Sequence, residues 1–322
     1  MVARGGSIAP AVLNSALHAL CKERIFSYLN SNLGGLCLLG RKEVRVRVRK
    51  GVKVMTYLAA VIQMTSTSDK AANLEKAERM IRLAAARGAR LVGLPETFNW
   101  RGKRAEEAAA AESLDGNTLA AMARLSRELD IHLLAGSITE HVPGEDRRYN
   151  TSVLFASDGA RLAVYRKIHL FDIDLPGRVT VKESEAKLPG ADVITAATEL
   201  GTVGLSVCYD VRFPELYRRL VYAGATIITI PSAFTFPTGE AHWEVLMRAR
   251  AIENQCYVLA PAQFGTNVHG FADYGNSMIV DPWGRVLARA ADQEGVLIAP
   301  LDLEYLGRVR RELPSLTHAR LR

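Results

Sequence analysis

YLAAVIQMTSTSDKAANLEKAERMIRLAAARGARLVGLPE, residues 57–96, sets the fold class. Residues 57–64 are a short apolar run, the length and composition of a buried strand. TSTSD supplies turn and N-cap residues. Residues 70–88 carry apolar side chains at helical spacing and stop at Gly88. Residues 89–96 form a second apolar run that ends at Glu96. Strand, helix and strand in succession place the chain in the α/β class.

The alternation continues outward. An Ala-rich stretch, 105–130, predicts helix interrupted at Gly116-Asn117, and 131–138, 152–156 and 162–167 predict strands. Residues 171–190, with Pro176, Gly177, Pro189 and Gly190, read as loop. Residues 201–208 predict a strand, 213–224 a helix with Pro214 in its first turn, 225–234 a strand and 238–255 a helix. Strands at 256–263, 276–284, 285–290 and 295–302 and a helix at 302–312 complete the pattern. Most strands are apolar throughout rather than alternating, as in sheets covered on both faces. Adjacent strand pairs mixed with strand–helix alternation favour a layered sandwich over a barrel.

Charge separates a body from an extension. The 322-residue chain carries a net +7, but residues 1–54 hold ten Lys/Arg and two acids, so the remainder nets −1. A basic nucleic-acid face needs clustered charge on the folded body, so no nucleic-acid partner is expected. No apolar stretch is long enough for a membrane helix, and no membrane partner is expected. The acid-poor, arginine-rich segment 1–54 has the composition of an organelle-targeting peptide or of sequence upstream of a start at Met55. The domain expectation is therefore an extension, 1–54, and one body, 55–322, located in the cytoplasm, or in a mitochondrion or plastid if the extension targets. Cys21, Cys37, Cys208 and Cys256 contain no C-x-x-C pair, so neither a zinc site nor a disulfide framework is signalled.

Three polar residues stand at the ends of apolar strands: Glu96, Lys167 and Cys208. Strand ends hold side chains rigidly at a pocket rim. Cysteine is a nucleophile, a carboxylate shuttles protons, and a lysine with the Tyr209 N–H stabilises an oxyanion, which together suffice for acyl transfer. Taken singly, each has a plainer reading: packing for Cys208, a cap for Glu96, solvated charge for Lys167.

Their contexts carry a resemblance. LVGLPETFNW, YRKIHLFDIDLPG and GLSVCYDVRFPEL resemble, in order and spacing, the glutamate, lysine and cysteine motifs of the nitrilase (carbon–nitrogen hydrolase) superfamily. The resemblance runs from Met55 to the C-terminus. It implies a four-layer α-β-β-α sandwich, paired in a homodimer or larger homo-oligomer. It implies Glu96 as general base, Lys167 as oxyanion stabiliser and Cys208 as nucleophile, with a second glutamate, which orients the lysine, at Glu140. No cofactor and no metal are implied.

PSAFTFPTGEAHWEVLMRARAIENQCYVLAPAQ and DYGNSMIVDPWG are similar to the Nit-type amidases of that superfamily. That branch implies a small-molecule substrate with a 2-oxo-acid end and an amide, deaminated glutathione first and α-ketoglutaramate second. It places the substrate carboxylate on Arg212 and the pocket wall at Phe234 and Thr238. Arginine offers a two-pronged fork to a carboxylate; the plainer reading of Arg212 is an ion pair with Glu215. Rival readings are a nitrilase or carbamoylase using the same triad, and a catalytically silent scaffold. His169, Asp172 and Asp174 have metal-ligand chemistry but read as a structural network. His242, Trp243 and Cys256 read as packing.

Overall fold

β1 (Thr56–Gln63) shows how the apolar runs are used. Tyr57, Ala59 and Val61 join one buried cluster, while Ala60, Ile62 and, just beyond the strand, Met64 join another. Both faces of the strand are covered, so its sequence does not alternate. A computed structural model describes residues 56–176, 179–266 and 270–321. The basic extension, and with it the expectation for 1–54, lies outside these residues.

After β1 the Asp69 carboxylate accepts a hydrogen bond from the Ala72 N–H (3.0 Å) and starts α1 (Lys70–Ala86). Ala77, Ile81 and Ala84 form its buried stripe. Burying Ile81 fully is worth about 2 kcal/mol. Gly88, at φ +88°, ends the turn and feeds β2 (Ala89–Gly93), parallel to β1. α2 (Asn117–Leu129) follows, then β3 (His132–Leu134), β4 (Ile138–Glu140), β5 (Tyr149–Phe155) and β6 (Arg161–Arg166). β7 (Asp172–Leu175) and β8 (Val179–Lys182) form a separate hairpin.

The second half begins with β9 (Thr195–Thr198) and β10 (Gly201–Leu205), then α3 (Pro214–Tyr222) and β11 (Ile227–Thr229). α4 (Phe236–Asn254), β12 (Tyr257–Ala260) and the short pair β13 (Phe264–Thr266) and β14 (Ala272–Tyr274) come next. β15 (Met278–Val280), β16 (Val286–Arg289), β17 (Gly295–Asp302) and α5 (Leu303–Glu312) complete the body.

Two sheets result. In the first, β17 pairs antiparallel with all of β1, followed by β2 and β3 in parallel. β3 and β4 then share one edge of β5 in succession, and β6 takes the other edge. The second runs β16-β15-β12-β11-β10-β9, with β10, β11 and β12 parallel. Ile81 of α1 and Met122 of α2 pack on the outer face of the first sheet. Leu91, Leu134 and Leu154 from its inner face join the cluster that holds the second sheet, and Leu220 of α3 and Met247 of α4 belong to it as well. The layers are α-β-β-α, as the sequence implied.

Four segments depart from expectation. Residues 131–138 are two strands, not one, because Gly136 turns the backbone at φ +26°. A Cβ there would stand 1.9 Å from the Pro95 carbonyl oxygen, so the loops carrying Gly136 and Glu96 meet backbone to backbone. The 171–190 segment is not all loop: the alternation in FDIDL and VTVK on either side of Pro176-Gly177 builds β7 and β8. β10 stops at Leu205, and Cys208 opens a 3₁₀ turn, Cys208–Arg212, instead of ending the strand. Helix between 105 and 130 is broken over 111–116, a wider gap than Gly116-Asn117 alone.

Candidate active site

The loops after β2, β6, β10 and β11 converge. Glu96 follows β2, Lys167 follows β6 directly, and Cys208 and Ala233 come from the second sheet. Glu96, Lys167, Cys208 and Ala233 share the lining of one cavity of about 430 Å³. That volume falls in the range of small-molecule sites.

Cys208 sits at φ +48°, a left-handed conformation that costs a non-glycine residue about 1 kcal/mol or more. The turn is held from both sides. The Cys208 N–H donates to the Pro231 carbonyl (2.9 Å), and the Asp210 carboxylate accepts from the Val207 N–H (2.8 Å). The Tyr209 N–H makes no backbone hydrogen bond among the described residues. Thr97, after Glu96, is also left-handed (φ +50°) and is anchored by its N–H on Ser137 Oγ (2.9 Å).

The Lys167 ammonium is buried between two carboxylates. It donates to Glu96 Oε1 (3.0 Å) and to Glu183 Oε2 (2.9 Å). Burial opposes its charge, but the attraction of Glu183 and Glu96 outweighs burial and holds its pKa well above the ordinary lysine value. Asn150 ties the same two carboxylates together, donating to Glu96 Oε1 (2.8 Å) and Glu183 Oε1 (3.2 Å). Glu183 also accepts from the Phe171 N–H (2.7 Å). Burial pushes the Glu183 carboxyl up, yet Lys167 and the Phe171 N–H bring it below the usual carboxylate range. The second Glu96 oxygen accepts from the Ala233 N–H (2.8 Å). Glu96 is thus held by groups from both sheets.

Burial pushes the Cys208 thiol well above its ordinary pKa, the Glu96 carboxylate pushes the same way, and Lys167 pulls against both. Cys208 therefore rests as a thiol, and attack requires a base. Glu96, which lines the same cavity and whose charge acts on that thiol, is positioned to be it.

Glu140 corrects a sequence expectation. Its carboxylate is taken by Arg166 (Nε 2.9 Å, Nη2 2.7 Å) and by Thr151 Oγ1 (2.6 Å). Arg166 precedes Lys167, and successive side chains along a strand point to opposite faces. A glutamate clasping Arg166 therefore does not reach Lys167, and Glu183 occupies that place. Its only sequence signal was the alternation that makes β8 a strand ending at the cavity.

The expected substrate contacts are not among the residues that line the cavity. Arg212 lies over the Phe234 ring (5.2 Å) and beside His242 Nδ1 (3.3 Å), and makes no ion pair with Glu215 among the described residues. Phe234 is buried against Trp243 (5.1 Å), and Thr238 bonds Thr235 Oγ1 (2.8 Å). Ala233 and Thr235 line the cavity; Arg212, Phe234 and Thr238 do not.

HLFDID resolves into separate bonds. The His169 ring donates from Nδ1 to Asp210 Oδ1 (2.7 Å) and stacks on Phe213 (3.7 Å). Asp172 accepts from Ser184 and Asp174 from Thr180. The three side chains have three different partners and do not converge. Trp243 is buried with its indole N–H on the Asn276 carbonyl (2.8 Å), and Cys256 is buried.

Comparison with known proteins adds four findings. The carbon–nitrogen hydrolase family profile matches residues 58–311. A deaminated glutathione amidase of Synechocystis sp. is 43% identical over 265 residues, covering 81% of this chain and 97% of that protein. The omega-amidase NIT2 of Mus musculus is 39% identical over 265 residues, covering 82% and 95%. Among solved structures, the C. elegans NitFhit protein superposes with a TM-score of 0.78 at 40% identity, covering 84% of this chain and 66% of that longer one.

Proposed function

This chain belongs to the carbon–nitrogen hydrolase family, and we propose that it is an amidase that cleaves the amide of a small 2-oxo acid, deaminated glutathione in the first place, through a thioester on Cys208. The observation that carries the reading is that one buried thiol, one base and one doubly held ammonium line a single cavity.

The steps follow from those positions. Glu96 takes the Cys208 proton as the sulfur bonds to the amide carbonyl carbon. The oxyanion faces the Lys167 ammonium and the Tyr209 N–H, where fixed donors in a dry site stabilise developing charge most. Glu96 then gives its proton to the amide nitrogen, and the C–N bond breaks. Water enters and loses a proton to Glu96 as it attacks the thioester. Collapse breaks the C–S bond, the proton returns to sulfur, and the acid leaves. Glu183 keeps Lys167 charged and in place throughout. Arg212, although outside the cavity lining, is assigned the substrate's 2-oxo-acid carboxylate.

The similarity to an omega-amidase supports α-ketoglutaramate as the second substrate. The test compares kcat/KM for the two amides and traps the acyl-enzyme on Cys208 by mass spectrometry. Hydrolysis of neither, or turnover by Cys208→Ala, refutes the reading.

A second copy of the chain is the expected partner, supported by Val245 and Ile252, which are 68% and 48% exposed on α4. Sedimentation gives the oligomer size. No helix among the described residues is long and apolar enough to cross a membrane. The free thiols of Cys208 and Cys256 support a reducing compartment, cytoplasmic unless residues 1–54 direct the chain to an organelle.

A further inference from the structure

The cavity is more cationic than the chemistry at Cys208 requires. Arg101, Arg104, Lys167, Lys182 and Lys187 line it, against Glu96, Glu107, Glu183 and Asp273. Four of the five cations have acid partners. Lys167 lies between Glu96 and Glu183, Arg101 is paired with Asp273, and Lys187 is held by Glu107 and by Thr139 Oγ1 (2.8 Å). Arg104 meets Glu185 (2.7 Å) in a pair more than half exposed on both sides. Such an exposed pair contributes little and exchanges readily for a ligand.

Lys182 is different. It has no ion pair or side-chain hydrogen bond among the described residues. The acid opposite it across the β7–β8 hairpin, Asp172, accepts its hydrogen bonds from the N–H and hydroxyl of Ser184, and Lys182 acts on it only as a nearby charge. Lys182 is exposed and immediately precedes Glu183, so its ammonium stems from the segment that holds the catalytic lysine. A primary amide releases only ammonia and has nothing to set against such a charge. An amide whose nitrogen belongs to a dipeptide carries a carboxylate about 7 Å from the scissile bond when extended.

We propose that the Lys182 side of the cavity is a leaving-group subsite, in which Lys182, flanked by Arg104, binds the terminal carboxylate of the amine being released. The proposal rests on the amidase reading above and adds the residues that hold the amine portion of deaminated glutathione, a short peptide ending in a free carboxylate. When Glu96 protonates the amide nitrogen and the C–N bond breaks, the amine departs from this subsite, and water takes its place at the thioester.

The test uses the full chain with deaminated glutathione and with its C-terminal carboxamide, which differs only in the missing charge. The wild type is expected to favour the free acid about tenfold in kcat/KM. Lys182→Ala is expected to bring the two substrates to near equality, and Lys182→Arg to keep the preference. Equal use of both substrates by the wild type, or a preference undiminished in Lys182→Ala, overturns the subsite while leaving the amidase standing. Cleavage of neither by the wild type overturns the amidase reading, and the subsite with it.

Discussion

Asp210→Asn tests the link between the cysteine turn and the lysine strand. The carboxylate is fully buried and accepts four hydrogen bonds. Oδ2 takes the Val207 N–H (2.8 Å) and the Tyr165 hydroxyl (2.7 Å). Oδ1 takes the His169 N–H (3.0 Å) and the His169 ring (2.7 Å). Tyr165 and His169 flank Lys167, and Val207 precedes Cys208, so one carboxylate spans both catalytic segments. An asparagine has a single acceptor oxygen. Left facing His169, it sets an N–H₂ against the Val207 N–H. The tyrosine hydroxyl turns to accept, but the backbone donor does not turn. One orphaned buried donor plus the lost charge assistance costs about 3 kcal/mol. For a body of this size that lowers Tm by roughly 6–12 °C. Displacing Cys208 from Lys167 by ~1 Å lowers kcat on the order of 10²-fold. Circular dichroism melts give Tm, and initial rates at saturating amide give kcat. An unchanged Tm together with wild-type kcat would falsify the idea that Asp210 joins the two segments.

Three further expectations follow from the same geometry. Cys208→Ala removes turnover and leaves Tm near the wild-type value, read by ammonia or amine release beside a thermal melt; residual turnover is the contrary result. Glu183→Gln leaves the Lys167 ammonium with Glu96 alone, and kcat falls about 10²-fold with a smaller change in KM, a split that steady-state kinetics resolves. Burial pushes the Cys256 thiol up to about 12. Above pH 9 the unfolded thiol ionises while the folded one keeps its proton, so stability is lost as pH rises from 9 towards 12. Cys256→Ala lowers stability at neutral pH by removing packing but flattens that alkaline decline, which urea titrations across the range measure.

The catalytic trio was legible because its chemistry is local. Glu96, Lys167 and Cys208 each stand where an apolar run meets polar sequence, and each lies within a recognisable motif. Glu183 was hidden for the opposite reason. It lies among Asp172, Asp174, Lys182, Glu185 and Lys187 in a stretch dense with Pro and Gly, and only the pairing of β7 with β8 brings it to Lys167. Glu140 looked suitable by motif position, but strand alternation gives it to Arg166. Asn150 and the Ala233 N–H, both on Glu96, carry no signal at all, since amide groups contact across sheets through tertiary packing. The alternation of layers was readable; the order of strands, with β3 and β4 sharing one edge of β5, was not, because pairing partners depend on folded distance.

The antiparallel pairing of β17 with β1 bears on how the chain is made. The first described strand waits for residues 295–302 before its outer edge is filled. Glu96 in turn waits for the Ala233 N–H and for Gln263, whose side-chain amide donates to the Glu96 carbonyl (2.8 Å). During synthesis on the ribosome, Cys208 therefore emerges after Asn150 and Lys167 but before Ala233 and Gln263, so its base is only partly seated when the thiol appears. The first sheet and the setting of Glu96 are thus both completed by residues that leave the ribosome after the nucleophile.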